Sequence, residues 1–136
     1  KLARERIGKI TFPIEHLKVS AEKIPLPDSS IDSVVSTWSL CSIPHPEIAL
    51  KEIYRVLKPH GRFVFIEHGR SPKNFVAKLQ KFLTPISKCI AGGCHLDREV
   101  DALIHGAGFE FQKIEKFPQK PKPIAFMYKG IAVAKK

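Results

Sequence analysis

Two spacings of apolar residues alternate along this chain and mark out its elements. After an N-terminal stretch of helical composition (KLARERIG, residues 1–8), Leu17 and Val19 share one face of a short predicted strand over residues 14–19. Pro25, Pro27, Asp28, Ser29 and Ser30 supply turn chemistry, because proline presets φ and short polar side chains bond nearby backbone. Residues 31–40, IDSVVSTWSL, predict a strand rich in Val, Ser and Thr. The period then lengthens. In PEIALKEIYRVLKP, Ala49, Leu50, Ile53, Val56 and Leu57 fall on one helical face. Pro46 suits its first turn, Glu47 and Lys58 suit the two ends of its dipole, Pro59 stops it and Gly61 makes the turn. Residues 63–66 are continuously apolar, as a parallel strand covered on both faces should be.

The cleanest amphipathic pattern covers residues 74–90. Phe75, Leu79, Phe82, Leu83, Ile86 and Ile90 share one face, and Lys73, Lys78, Lys81 and Lys88 take the other. Pro85 should kink this helix or split it. A shorter helix follows over residues 96–105, ending at Gly106-Ala107-Gly108. Two last strands, residues 109–117 and 124–133, flank the linker PQKPKP and can form an antiparallel pair. Strand, helix, strand, helix and a terminal strand pair is the grammar of an open α/β sheet. Such sheets bind ligands beyond the carboxyl ends of their parallel strands. The site is therefore expected at residues 20–22, 38–42 and 67–69.

Composition changes this picture little. The chain has 136 residues, 43% of them hydrophobic, which is enough for one domain or part of one. It begins at Lys1 and shows neither a signal-peptide pattern nor an apolar run near the roughly 20 residues a membrane helix needs. A net charge of +10 favours anionic partners without specificity. Nucleic acid is not among the expected partners, because no basic-aromatic interleaving and no known binding module occurs. Three cysteines, Cys41, Cys89 and Cys94, suit a reducing, cytoplasmic setting better than a disulfide framework.

The strings SAEKIPLPDSSIDSVV, ALKEIYRVLKPHG and FVFIEHG carry a family resemblance. They resemble the class I S-adenosylmethionine-dependent methyltransferases, in the small-molecule branch that includes the ubiquinone/menaquinone C-methyltransferases. That branch reads roughly D-A-E-x-L-P-F-x-D-x-x-F-D-x-V, then A-L-x-E-x-x-R-V-L-K-P-G-G. SLCSI, IEHG and GGCHLDRE resemble the microsomal methyltransferase-like proteins associated with thiol methylation. The resemblance implies a Rossmann-like, mostly parallel sheet with a C-terminal antiparallel pair, and S-adenosylmethionine as cofactor. It implies cofactor-binding roles for Ser20, Ala21 and Glu22 at the adenine, with Ser20 standing where the family has Asp, and for Trp38, Ser39 and Leu40. His60 takes the place of the first Gly of the family's K-P-G-G turn. Residues 14–20 would be the family's third strand. The family's first two strands and its glycine-rich loop have no counterpart in the sequence. The expected domain is accordingly the C-terminal two-thirds of one methyltransferase domain, residues 1–136, completed by upstream sequence or by a second copy of the chain as a homodimer.

Methyl transfer from a sulfonium needs a held acceptor, a dry site and sometimes a base, so it fixes no triad. Near the expected mouth, His68 is the candidate catalytic base or orienting group, against a plain strand-capping histidine. Cys41, Ser42, Glu67 and His95 are the candidate substrate-side residues. His45, between prolines, fits a turn. Cys89, Cys94 and His95 have the spacing C-x4-C-H, which is poor for tetrahedral zinc, so no metal is expected. The apolar face of the 74–90 helix either lids an acceptor pocket or lies on a membrane surface. The expected function is methyl transfer to a small, apolar thiol, carbon or oxygen acceptor. A different reading stays open: a non-catalytic remnant of the fold, serving as a basic interaction or membrane-surface module.

Overall fold

A computed structural model describes residues 11–119 and 124–136, so the expected helix over residues 1–8 and part of the linker lie outside the described residues. The described elements are β1 (Ile31–Thr37), α1 (Pro46–Val56), β2 (Leu57–Gly69), α2 (Asn74–Ile90), α3 (Val100–Gly106), β3 (Phe109–Pro118) and β4 (Phe126–Ala134). The strands form one mixed sheet in the order β1-β2-β4-β3. β1 and β2 run parallel, which requires a crossover, and α1 supplies it. β4 runs antiparallel to both of its neighbours, so the terminal strand pair forms as expected. Thr37 pairs with Ile66, which brings the carboxyl ends of β1 and β2 to the same edge.

Alternation along β2 shows where the core lies. Phe63, Phe65, Glu67 and Gly69 are buried, while Val64, Ile66 and His68 between them are only half-buried. The expectation of a strand covered equally on both faces therefore fails. Leu50 and Ile53 from α1 and Val100 and Ile104 from α3 cover the Phe63 side, together with Leu40, Phe109 and Ala132. On the other side, Val64, Ile66 and Ile131 line an open depression of about 380 Å³ beside the exposed Val35. Outside the core, the Arg55 guanidinium clasps α1 to the preceding turn. It donates to Glu52, to Asp28 and to the carbonyls of Ile24 and Leu26. Arg55 and the Ile24 N–H together hold the Glu52 carboxyl down at about 2.

The structure corrects five further sequence expectations. Residues 14–19 form no strand, and Ile14, Leu17 and Val19 are exposed. A strand is stable only against a neighbour that takes up its backbone groups, and this segment has none among the described residues. β1 ends at Thr37 rather than residue 40, because Trp38 adopts a left-handed φ of 54° and turns the chain. α1 ends at Val56, so Arg55 rather than Lys58 is the basic residue of its last turn. α3 begins at Val100 rather than residue 96, because the stretch before it is drawn into cross-links. There His95 N–H donates to Cys41 O at 2.7 Å and Arg70 N–H to Arg98 O at 2.8 Å.

The fifth correction concerns α2, which Pro85 does not divide. Lys81, whose carbonyl loses its helical donor at Pro85, is exposed to water. The predicted apolar face is not packed on the sheet as the lid alternative expects, while the membrane-surface alternative calls for such an exposed face. Phe75, Leu79, Phe82, Ile86 and Ile90 are exposed, and the buried positions are Ala77, Gln80 and Thr84. A polar hub explains the inversion. Gln80 Nε2 donates to the carbonyls of Gly69 and Ile124, its Oε1 accepts from Ser71 N–H, and Thr84 Oγ1 donates to Asp97. Satisfying three backbone groups, two of them buried, fixes which face of the helix turns inward.

Candidate functional site

The carboxyl ends of β1 and β2 meet through one buried acid. Glu67 points to the core side of β2 and is fully buried. Its Oε1 accepts from Ser36 Oγ at 2.6 Å and from Ser39 N–H at 3.1 Å. The acid thereby ties the turn after β1 to the end of β2. Its Oε2 is buried with no hydrogen-bond partner among the described residues. A buried carboxylate oxygen without a donor is costly, and such atoms usually await a ligand, an ion or water.

Above this acid sits an aromatic and sulfur cluster. The turn at Trp38 leaves the indole about half exposed, with its ring 4.6 Å from the His68 ring and tilted by 39°. Left-handed backbone at a bulky residue costs about 1–2 kcal/mol, so the surrounding contacts must hold it. His68 Nδ1 lies 3.7 Å from Cys94 Sγ, and its Nε2 lies 3.2 Å from Gln119 Oε1. Ligand atoms of Cys41, His68 and Cys94 all fall within 4.8 Å of one another. The Cys41 sulfur, and then the Gln119 amide, hold the His68 pKa above its ordinary value against the opposing effect of burial. Cys41 and Cys94 are both buried and unbridged, whereas Cys89 is exposed.

The remaining predicted residues take more varied places. Ser39 Oγ donates to Thr37 O, and Ser42 Oγ lies 3.6 Å from Cys41 Sγ. The Leu40 side chain is fully buried in the core, so only its backbone can meet a ligand, and its carbonyl already accepts from Arg98. Ser20, Ala21 and Glu22 form a surface turn, in which Ser20 Oγ accepts from Glu22 N–H at 3.1 Å. Glu22 Oε1 accepts from His45 N–H at 3.0 Å, which moors this turn to the loop entering α1. Ala21 N–H has no acceptor among the described residues. Burial and the charges of Arg98 and Lys88 push the His95 pKa down, which favours a neutral ring. Ser36 and Gln119 are the site residues that sequence reasoning missed, and it groups Cys94 with the wrong partners. Local spacing groups Cys94 with Cys89 and His95, but the fold groups it with Cys41 and His68.

Comparison with known proteins gives this geometry a family. Residues 1–65 match the family model described as a methyltransferase domain. The thiol S-methyltransferase TMT1B of Rattus norvegicus is 45% identical over 94 residues, covering 68% of this chain and 38% of that protein. The chain belongs to the class I S-adenosylmethionine-dependent methyltransferases. The ubiquinone/menaquinone biosynthesis C-methyltransferase UbiE of Brucella anthropi is 43% identical over 68 residues, 48% of this chain and 26% of that protein. The chain thus spans well under half the length of these curated relatives. In fold it resembles a putative methyltransferase from Bacillus halodurans, with a TM-score of 0.79 at 15% identity, covering 98% of this chain and 77% of that one.

The family's cofactor is S-adenosylmethionine, which offers an adenine edge, a positive sulfonium and an ammonium. The groups at the strand ends suit parts of such a molecule. Among the described residues, Ala21 N–H has no acceptor and Glu67 Oε2 no donor, while Trp38 offers an open aromatic face.

Proposed function

We propose that the protein transfers a methyl group from S-adenosylmethionine to the sulfur of a small, apolar thiol. The observation that carries this reading is the convergence of Cys41, His68 and Cys94 beside Trp38, at the strand ends where open α/β sheets bind ligands. The cofactor supplies an electrophilic methyl on a sulfonium. The chain supplies placement, charge and a proton acceptor. Ala21 N–H and the Ser20 hydroxyl meet the adenine edge, with the backbone of Ser39 and Leu40 and the ring of Trp38 alongside. Glu67 Oε2, which has no partner among the described residues, would meet the positive charge of the cofactor. Cys41, Ser42 and His95 border the acceptor, and His68 Nδ1 takes its proton. A thiol reacts as its thiolate, so a positioned imidazole beside it contributes directly to rate.

A thiol is favoured over a carbon acceptor because the likeness to TMT1B, a thiol S-methyltransferase by name, runs through 94 residues against 68 for UbiE. Trp38 is the one tryptophan of the sequence, so its fluorescence reports the site directly. Titrating S-adenosylhomocysteine into the protein as the cell makes it should change that fluorescence saturably. Ala21→Pro, which deletes the adenine-facing N–H, should weaken binding about tenfold, the worth of one good hydrogen bond. A wild-type protein that gives neither a fluorescence change nor a heat of binding would favour the non-catalytic reading instead.

A further inference from the structure

We propose that Cys41, His68 and Cys94 form a binding site for a soft divalent cation, with zinc the occupant their chemistry favours. Two thiolates and an imidazole are the donors zinc prefers. The sequence hides this set, because its members come from the turn after β1, the end of β2 and the loop after α2. Their ligand atoms lie within 4.8 Å of one another with no disulfide between the cysteines. The Cys94 Sγ to His68 Nδ1 separation of 3.7 Å is close to the roughly 3.6 Å sulfur–nitrogen edge that zinc bond lengths give for a tetrahedron. Closing the remaining gaps needs movements of an ångström or less from side chains.

Two further observations point the same way. His68 Nε2 meets the Gln119 amide oxygen at 3.2 Å, and with its proton on Nε2 the ring would turn the Nδ1 lone pair toward the sulfurs. A second-nitrogen bond to a carbonyl-type oxygen is how ligand histidines are held in one tautomer. The sulfurs are also fixed by backbone. Cys41 O accepts from His95 N–H at 2.7 Å, which clamps the loop carrying Cys94 onto the turn carrying Cys41. Gly93, at a φ of 85°, brings that loop close to Ser42, where an added Cβ would lie 3.3 Å from the Ser42 carbonyl oxygen.

Three protein donors leave one tetrahedral position, the pattern of catalytic rather than structural zinc. Resting on the thiol-transfer reading, that position suits the acceptor's sulfur, whose proton then leaves to water. With a cation bound, His68 would act as a ligand and the cation would lower the acceptor thiol's pKa; with none bound, His68 Nδ1 is the proton acceptor.

Cobalt(II) tests the site, because thiolate ligands give it a near-ultraviolet charge-transfer band. The protein as the cell makes it, fully reduced, should bind one Co²⁺ with that band and release it to Zn²⁺. Cys41→Ser and Cys94→Ser should abolish the band, Cys89→Ser should leave it unchanged, and Gln119→Leu should weaken binding at least tenfold. Circular dichroism of each variant shows whether it still folds, and Gln119→Leu changes no ligand and no core residue. Absence of the band in saturating Co²⁺ overturns the site, as does a band that survives both Cys41→Ser and Cys94→Ser. A cobalt complex in a protein that binds no S-adenosylhomocysteine would leave the site standing and remove the transferase reading. Thiol methylation indifferent to chelators, with no cobalt band, would do the reverse.

Discussion

Glu67→Ala is expected to destabilise the protein by about 3 kcal/mol, the cost of leaving the Ser36 hydroxyl and the Ser39 N–H without their charged acceptor in a buried place. Thermal melting should move down by roughly 10 °C for a domain of this size. Glu67→Gln separates structure from ligand binding. Its amide oxygen can still accept from Ser36 and Ser39, so most of the stability should return. Its amide nitrogen replaces the unpartnered Oε2 with a donor, which repels rather than attracts positive charge. S-adenosylhomocysteine binding and methyl transfer should therefore fall at least tenfold in Glu67→Gln while the melting temperature stays within a few degrees of wild type. Equal stability of Glu67→Ala and wild type would mean that the acid does not tie the two strand ends together.

The second large effect lies in the sheet. Gly130 sits in β4, where an added Cβ would lie 2.3 Å from the Lys113 carbonyl oxygen and 2.9 Å from the Phe65 ring. Neither neighbour can yield easily, since one is the backbone of β3 at its register shift and the other a core aromatic. Gly130→Ala is expected to cost about 3 kcal/mol, the upper range for overpacking a tight interior. Chemical denaturation should show a lower midpoint with an unchanged slope. Gly92→Ala makes the contrast, because space around Gly92 is open and only its φ of 59° penalises a side chain, by about 1–2 kcal/mol. A Gly130→Ala variant as stable as Gly92→Ala would mean that β3 and β4 sit farther apart than the structure has them.

Local chemistry made the elements legible, and long-range pairing decided what they face. α1 was readable because its apolar spacing, its leading proline and its first-turn acid agree. The β3–β4 pair was readable because a short connection joins two strands. Residues 14–19 misled, because alternation alone does not make a strand without a neighbour to bond it. α2 misled in another way. Its apolar stripe is real, but Gln80 satisfies three backbone groups and turns the opposite face inward. A single glutamine among apolar residues gives no local sign of that role.

At the site, the acid at the end of β2 and the histidine beside it were visible as residues at a strand end. Their partners were not. Ser36 meets Glu67 across the sheet, from 31 positions away in sequence. Cys94 meets His68 from 26 positions away, so its immediate neighbours Cys89 and His95 drew the attention. The left-handed turn at Trp38 had no signal either, since bulky residues seldom adopt it.

The transfer itself can be followed with S-adenosylmethionine labelled in its methyl group. The protein as the cell makes it would be incubated with the labelled cofactor and equal amounts of benzenethiol and phenol. Label recovered in methyl phenyl sulfide, with little in the phenol products, is the expected result. Label in the phenol ring or oxygen, or no label in either acceptor from a protein that binds S-adenosylhomocysteine, would contradict thiol methylation at this site.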